Sequence, residues 1–280
     1  MSSLVFPAVL FAALLSAIWN AIVKTGTDKY LDIVLVMCAA AAISIILLPF
    51  VEQPAVQSWP YLAASFITQP IYFILLTAVY RTGEMSEAYP LMRGTAPLVV
   101  AMAGGPLIGE ALPVQRWLGV ALICAGVFAL AIDARQRNGA ARTAAPYALL
   151  NAFVIAAYTL IDGEGVRQSG APLAYAMWIN VISVVPLLVW TLWRRRTAFL
   201  AYARNRWHFG LYGGAATFGS YSLSLWAMTL SPIALVAALR ETSILFATAI
   251  AVLVLRERIG WARYVAIGGI AAGAVVLRLA

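Results

Sequence analysis

Three charged residues, Arg93, Arg240 and Glu241, fall inside stretches that are otherwise apolar. A charge near the centre of a bilayer costs at least about 2.5–3.5 kcal/mol, so residues of this kind face a bundle interior or a water-filled cavity. A guanidinium in such a place can hold a carboxylate through two parallel N–H···O bonds. The alternative is a structural tie to carbonyls or to a carboxylate of the protein itself. Arg93 lies about two turns from the end of its stretch, at roughly 1.5 Å per residue, and can also snorkel to the surface. Residues i and i+1 do not face each other on a helix, so Arg240 and Glu241 are not expected to pair. Glu241 then needs a separate partner or a proton, which makes it the candidate for proton coupling.

Aromatic and polar residues recur in the same kind of stretch. Trp19, Asn20, Tyr72, Tyr80, Tyr89, Tyr158, Trp178 and Tyr221 are, with Arg93 and Arg240, the candidate substrate-binding residues. A buried Tyr or Trp needs a partner for its polar end, and a wet cavity supplies one; lipid-facing or interfacial positions account for about half of such residues otherwise. Glu84 and Glu87 open a helix, where the macrodipole favours acidic groups. Glu110 and Glu257 are expected to brace tight loops. His208, the single histidine, sits beside Trp207 at a helix start, an interfacial place.

The stretches that carry these residues define the class of protein. Hydrophobic residues make up 63% of the chain and charged residues 11%, and mean hydropathy is +0.89. A transmembrane helix needs roughly 20 mostly apolar residues. Ten such spans are expected, at 4–24, 31–51, 59–80, 85–107, 114–132, 145–162, 171–193, 207–229, 232–255 and 260–279. Helices are required because backbone polar groups in lipid must be satisfied within the segment unless a barrel closes, and these runs are too long for barrel strands. Ten spans leave no room for a soluble catalytic domain. The first, with no basic residue before it, is expected to be a retained helix and not a cleaved signal.

The formal charge of +8 does not indicate nucleic acid, because the basic residues sit in short loops and form no continuous patch. Their distribution orients the chain instead. Fourteen Lys and Arg residues fall on the side of the odd-numbered loops, from Lys24 and Lys29 through Arg194, Arg195 and Arg196 to Arg263; the opposite side carries Arg116, Arg167 and Arg278. The odd loops are expected in the cytoplasm and both termini outside. Cys38 and Cys124 lie in apolar runs and read as small hydrophobes. No phosphate-binding loop, metal-ligand spacing or catalytic constellation is present, so the expectations are no enzyme, no cofactor and no metal.

The chain also repeats itself. At an offset of 147 residues Arg93 meets Arg240, Thr95 meets Thr242, Glu110 meets Glu257, Arg116 meets Arg263 and Gly126 meets Gly273. Residues 1–140 and 141–280 therefore read as two repeats of five helices within one membrane domain. Five is odd, so the second repeat enters the membrane inverted. Inverted repeats are a transporter architecture with the substrate near the midplane between the halves, and Arg93 and Arg240 should approach one shared cavity. Pro90 and Pro97 flank Arg93 and mark the fourth helix as the expected bent element. Gly269-xxx-Gly273 and Gly210-xxx-Gly214 permit close helix contact, at a dimer seam or inside the bundle.

On particular motifs the chain resembles the EamA type of drug/metabolite transporter. They are Trp19-Asn20-Ala21 with Lys24, Arg93-Gly94-Thr95-Ala96-Pro97 after Tyr89-Pro90, Gly109-Glu110 before Trp117-Leu118-Gly119, and Arg256-Glu257 before Gly268-Gly269. Arg256 departs from the pattern, which has Gly before Glu257. The resemblance covers the whole chain. It implies an all-helical bacterial inner-membrane protein, a secondary transporter that exports amino acids or similar metabolites by alternating access. The aromatic and neutral-polar candidates favour neutral or aromatic amino acids. The other readings are a transporter or flippase of lipid or another metabolite, and a membrane scaffold that moves no solute. Expected partners are a small-molecule substrate and the bilayer, with no nucleic acid; a homodimer is compatible, but a monomer suffices.

Overall fold

The computed structural model describes residues 4–82, 85–138, 145–253 and 260–280, and among them every regular element is helical. The order is α1 (Val5–Thr25), α2 (Lys29–Leu47), α3 (Trp59–Thr82), α4 (Met85–Ile108), α5 (Val114–Asn138), α6 (Ala145–Ser169), α7 (Pro172–Arg194), α8 (Arg196–Leu230), α9 (Ile233–Arg240), α10 (Ser243–Leu253) and α11 (Trp261–Leu279). Seven stretches among the described residues are long and apolar enough to cross a membrane, and Val114–Leu130 and Tyr264–Leu279 are shorter apolar helices. Large apolar side chains such as Phe50, Ile74, Val189 and Leu279 point outward, as lipid-facing surface requires.

The connections are short and locally specified. Asp28 caps α2, its carboxylate accepting the Leu31 N–H at 3.2 Å. Gly109 ends α4 with φ +72°, a conformation that favours glycine. There the Gly109 N–H bonds Gly105 O at 3.1 Å, the single bond of an αL closure, and the Glu110 N–H reaches back to Gly104 O at 3.0 Å, which turns Glu110 back toward the bundle.

The fifth helix runs on to Asn138, past the expected 132, and three further spans differ from the sequence expectation. The sixth helix does not stop at 162 but runs to Ser169. Asp162 and Ser169 there are buried and hydrogen-bonded to protein, so a polar stretch that lipid would reject stays helical inside the bundle. The eighth helix begins at Arg196, ahead of the expected 207. Arg206 (φ −123°, ψ 16°) divides its basic first part from the membrane part. The ninth span is not one helix. It breaks at Glu241–Thr242, where the N–H groups of Glu241, Thr242, Ile244 and Leu245 each bond a carbonyl three residues back. α4, the expected bent element, runs as one helix through Pro90 and Pro97, and the interruption falls instead on the ninth span, between α9 and α10. Arg240 closes α9 and Glu241 precedes α10, so each charge sits at the helix end whose dipole favours it.

α5 packs on α11, α1 and α2 on α8, α3 on α6 and α7, and α4 on α5, α6 and α9. The α5–α11 contact is a glycine seam. A Cβ on Gly126 would lie 2.7 Å from Ala266 O, and one on Gly273 would lie 2.8 Å from Gly119 O. Gly210 and Gly214 face Leu35 and Ala39 of α2 in the same way. Both small-residue patterns thus serve packing inside the chain.

Candidate substrate site

α4, α6 and α9 converge on a small cavity lined by Arg93, Pro97, Tyr158, Thr159, Arg240 and Glu241, among others. Arg93 Nε donates to Glu241 Oε2 at 2.9 Å, with the Glu241 side chain only 5% exposed. This is the partner that Glu241 lacked in sequence. A buried ion pair gains little net stability when intact, but leaves an uncompensated charge when either member is removed.

Arg240 is differently placed. Its guanidinium lies 5.7 Å from the centre of the Tyr221 ring, within cation–π range, and no carboxylate lies at ion-pair distance among the described residues. The Tyr221 hydroxyl donates to Asp162 Oδ2, and Ser65 Oγ donates to Asp162 Oδ1. Tyr72 meets Tyr158 edge to face at 6.0 Å. A polar chain thus runs from Arg240 through Tyr221 to Asp162 and Ser65, across α9, α8, α6 and α3. The cavity beside it measures about 20 Å³, room for about one water molecule, so the site is closed in this structure.

Of the sequence candidates, Arg93, Tyr158, Arg240 and Glu241 line the cavity, while Tyr72 and Tyr221 lie against its tyrosine and arginine. Trp19 is half-buried on α1, and the Asn20 amide returns to its own helix, donating to Ser16 O at 2.7 Å. Trp178 lies elsewhere, its ring 5.5 Å from that of Trp59 and its Nε1 donating to Gln53 Oε1 at 3.0 Å. The side chains of Tyr80 and Tyr89 lie outside those described, as does Glu257. Asp162 escaped sequence reasoning because it stands where the apolar run gives way to Gly163-Glu164-Gly165 and looks like a helix end. Its spacing four residues after Tyr158 was the available signal, since i and i+4 share a helix face.

Two further polar clusters tie helix ends together. Arg167 donates to Glu110, to Met228 O at 2.8 Å and to Ser231 O at 3.0 Å, and Glu110 accepts the Ile233 N–H at 2.8 Å. Glu110 therefore braces a loop, as its sequence position implies, and caps the first turn of α9. At the start of α2, buried Asp32 accepts from Tyr202 at 2.8 Å and from Arg206 at 3.2 Å, while Arg195 pairs with Asp28 at 2.6 Å.

Membrane-length helices closed around a charged cavity define a multi-pass membrane protein. The model of the EamA-like transporter family matches residues 142–279. Over these residues the chain is similar to that family of the drug/metabolite transporter superfamily, and the match supports a membrane transporter of that type. Among solved structures, 29 chains match. One, a crystal structure described only as that of a protein, aligns with 100% of this chain and 98% of its own at a TM-score of 0.76 and 17% identity; at that identity the likeness concerns the fold. No curated protein matches.

Proposed function

We propose that this chain is a secondary transporter of the bacterial inner membrane that exports amino acids, neutral or aromatic ones favoured, by alternating access. The observation that carries the reading is that Arg93 and Arg240, counterparts at an offset of 147 residues, line one cavity. An inverted two-fold relation between 1–140 and 141–280 predicts such convergence. It also predicts the helix pairings: α1 with α8 mirrors α3 with α6, and α5 with α11 lies on the axis. The ten-span reading counts α9 and α10 as one interrupted span, and discontinuous helices are a recurrent way to build transporter sites.

In this reading Arg240 binds the substrate carboxylate, Tyr158, Tyr72 and Tyr221 contact its side chain, and Arg93 holds Glu241 in reserve. A proton on Glu241 releases Arg93, which couples the site to a proton gradient. The basic odd-numbered loops place both termini on the outer face.

A second reading has its own observation. A crevice of about 500 Å³ opens between α1, α10 and α11, lined by Leu10, Leu245, Phe246 and Val275 with Arg278 at its rim. A lipid or other amphiphile as cargo fits that feature. Efflux of labelled amino acids from proteoliposomes, with and without a pH gradient, separates the two. Protein-dependent efflux that disappears in Arg240→Ala supports amino-acid export. Lipid scrambling without amino-acid flux supports the amphiphile.

A further inference from the structure

Arg240, which lines the cavity, and Asp162, which lies on α6 behind Tyr221, each lack an oppositely charged partner at ion-pair distance among the described residues. Asp162 is 1% exposed, yet its two oxygens hold only neutral donors, the hydroxyls of Ser65 and Tyr221. An ionised carboxylate has about four acceptor positions, so capacity remains for a further donor. Its position on α6 is one turn beyond Tyr158 and Thr159, both cavity-lining residues, and residues at i+3 and i+4 share their face. Close by, a Cβ on Gly165 would meet the Tyr175 hydroxyl, and that buried hydroxyl also has no hydrogen-bond partner.

Tyr221 stands between the two charges, its ring under Arg240 and its hydroxyl on Asp162. A cavity-lining cation and, one tyrosine away, a buried carboxylate, neither ion-paired among the described residues, make an arrangement complementary to a zwitterion once Tyr221 moves aside. We infer that Asp162 is the ammonium subsite of the transporter, opposite Arg240 as the carboxylate subsite, and that the cargo is recognised as an α-amino acid with both groups charged. The Tyr221 hydroxyl occupies Asp162 in this structure and gives way to the ammonium when substrate enters. The inference rests on the amino-acid reading above and adds the second pole of recognition. It explains why a carboxylate with no cation beside it stays deep among the helices.

The test compares L-phenylalanine with 3-phenyllactate, which keeps the carboxylate and the ring but carries a hydroxyl in place of the ammonium. Counterflow is measured in proteoliposomes at zero membrane potential. A site built to bond a group rejects an analogue lacking it strongly, so the intact protein should prefer phenylalanine by about a hundredfold or more. Asp162→Asn should abolish that preference while phenyllactate still moves. If Asp162→Asn fails to fold, Arg240→Ala gives the complementary readout: 2-phenylethylamine, the ammonium pole alone, should still displace bound phenylalanine while phenyllactate should not. Equal transport of both compounds by the intact protein, or an undiminished preference in folded Asp162→Asn, overturns the ammonium subsite and leaves amino-acid transport standing. Loss of both fluxes in folded Asp162→Asn makes the residue structural and also overturns it. No flux of either compound in the intact protein removes the amino-acid reading and this inference together.

Discussion

Arg93 on α4 and Glu241 at the break between α9 and α10 meet at 2.9 Å, so the unbroken helix of one half pins the interrupted span of the other. The pair is mostly withdrawn from water, and its members depend on each other. Removing one partner of a buried pair destabilises by about 3–5 kcal/mol. Arg93→Gln and Glu241→Gln should each lower the unfolding midpoint in detergent, and the double variant should recover most of the loss. Additive losses in the double-mutant cycle would disprove the dependence.

Arg240 has an aromatic neighbour and no ion-pair partner among the described residues, and exposed to desolvated cation–π contacts are worth about 0.5–2 kcal/mol. Arg240→Ala should therefore unfold within about 2 kcal/mol of the parent protein while losing amino-acid efflux. Arg240→Lys keeps the charge but not the two-pronged donor, and should restore efflux only in part. Full efflux in Arg240→Ala would remove this residue from the site.

Arg167 holds Glu110 and two backbone carbonyls at the entry to α9. Arg167→Ala leaves those carbonyls and a half-buried carboxylate without their donor, and unsatisfied groups of this kind cost about 1–3 kcal/mol each. Amide exchange should show faster opening of the first turn of α9 in Arg167→Ala and in Glu110→Ala. The two effects should be less than additive, because both act on one network.

Gly109 has φ +72° with open space where a Cβ would stand. The penalty for a side chain there is conformational, about 1–2 kcal/mol, with no steric part. Gly109→Ala should show that loss in thermal unfolding, and Gly109→Asn a smaller one. Equal losses would point to a cause other than the backbone.

The membrane spans were legible because lipid imposes one demand on every segment, an apolar surface of fixed length, and hydropathy reads that directly. Where protein replaces lipid as the neighbour, the signal fails. The last two turns of α6 carry buried Asp162 and Ser169, and the first part of α8 is basic yet helical. The convergence of Arg93 and Arg240 on one cavity was signalled by charge within apolar runs and by their offset of 147 residues. The Glu241 partner was not, because it sits 148 residues away in sequence. Asp162 resembled a helix end, and the contact of Trp178 with Gln53 depends on how α7 packs near the start of α3, which no local pattern encodes.

The glycine seam between α5 and α11 brings backbone against backbone, with Gly126 facing Ala266 and Gly273 facing Gly119. Long side chains can re-pack to let two helices slide, but bare peptide groups in van der Waals contact have no slack to take up. These two helices form a keel. If the halves rock to expose the cavity first to one side and then to the other, the stroke must come from the helices that the keel does not lock, and α9 with its break at Glu241 has the joint to supply it.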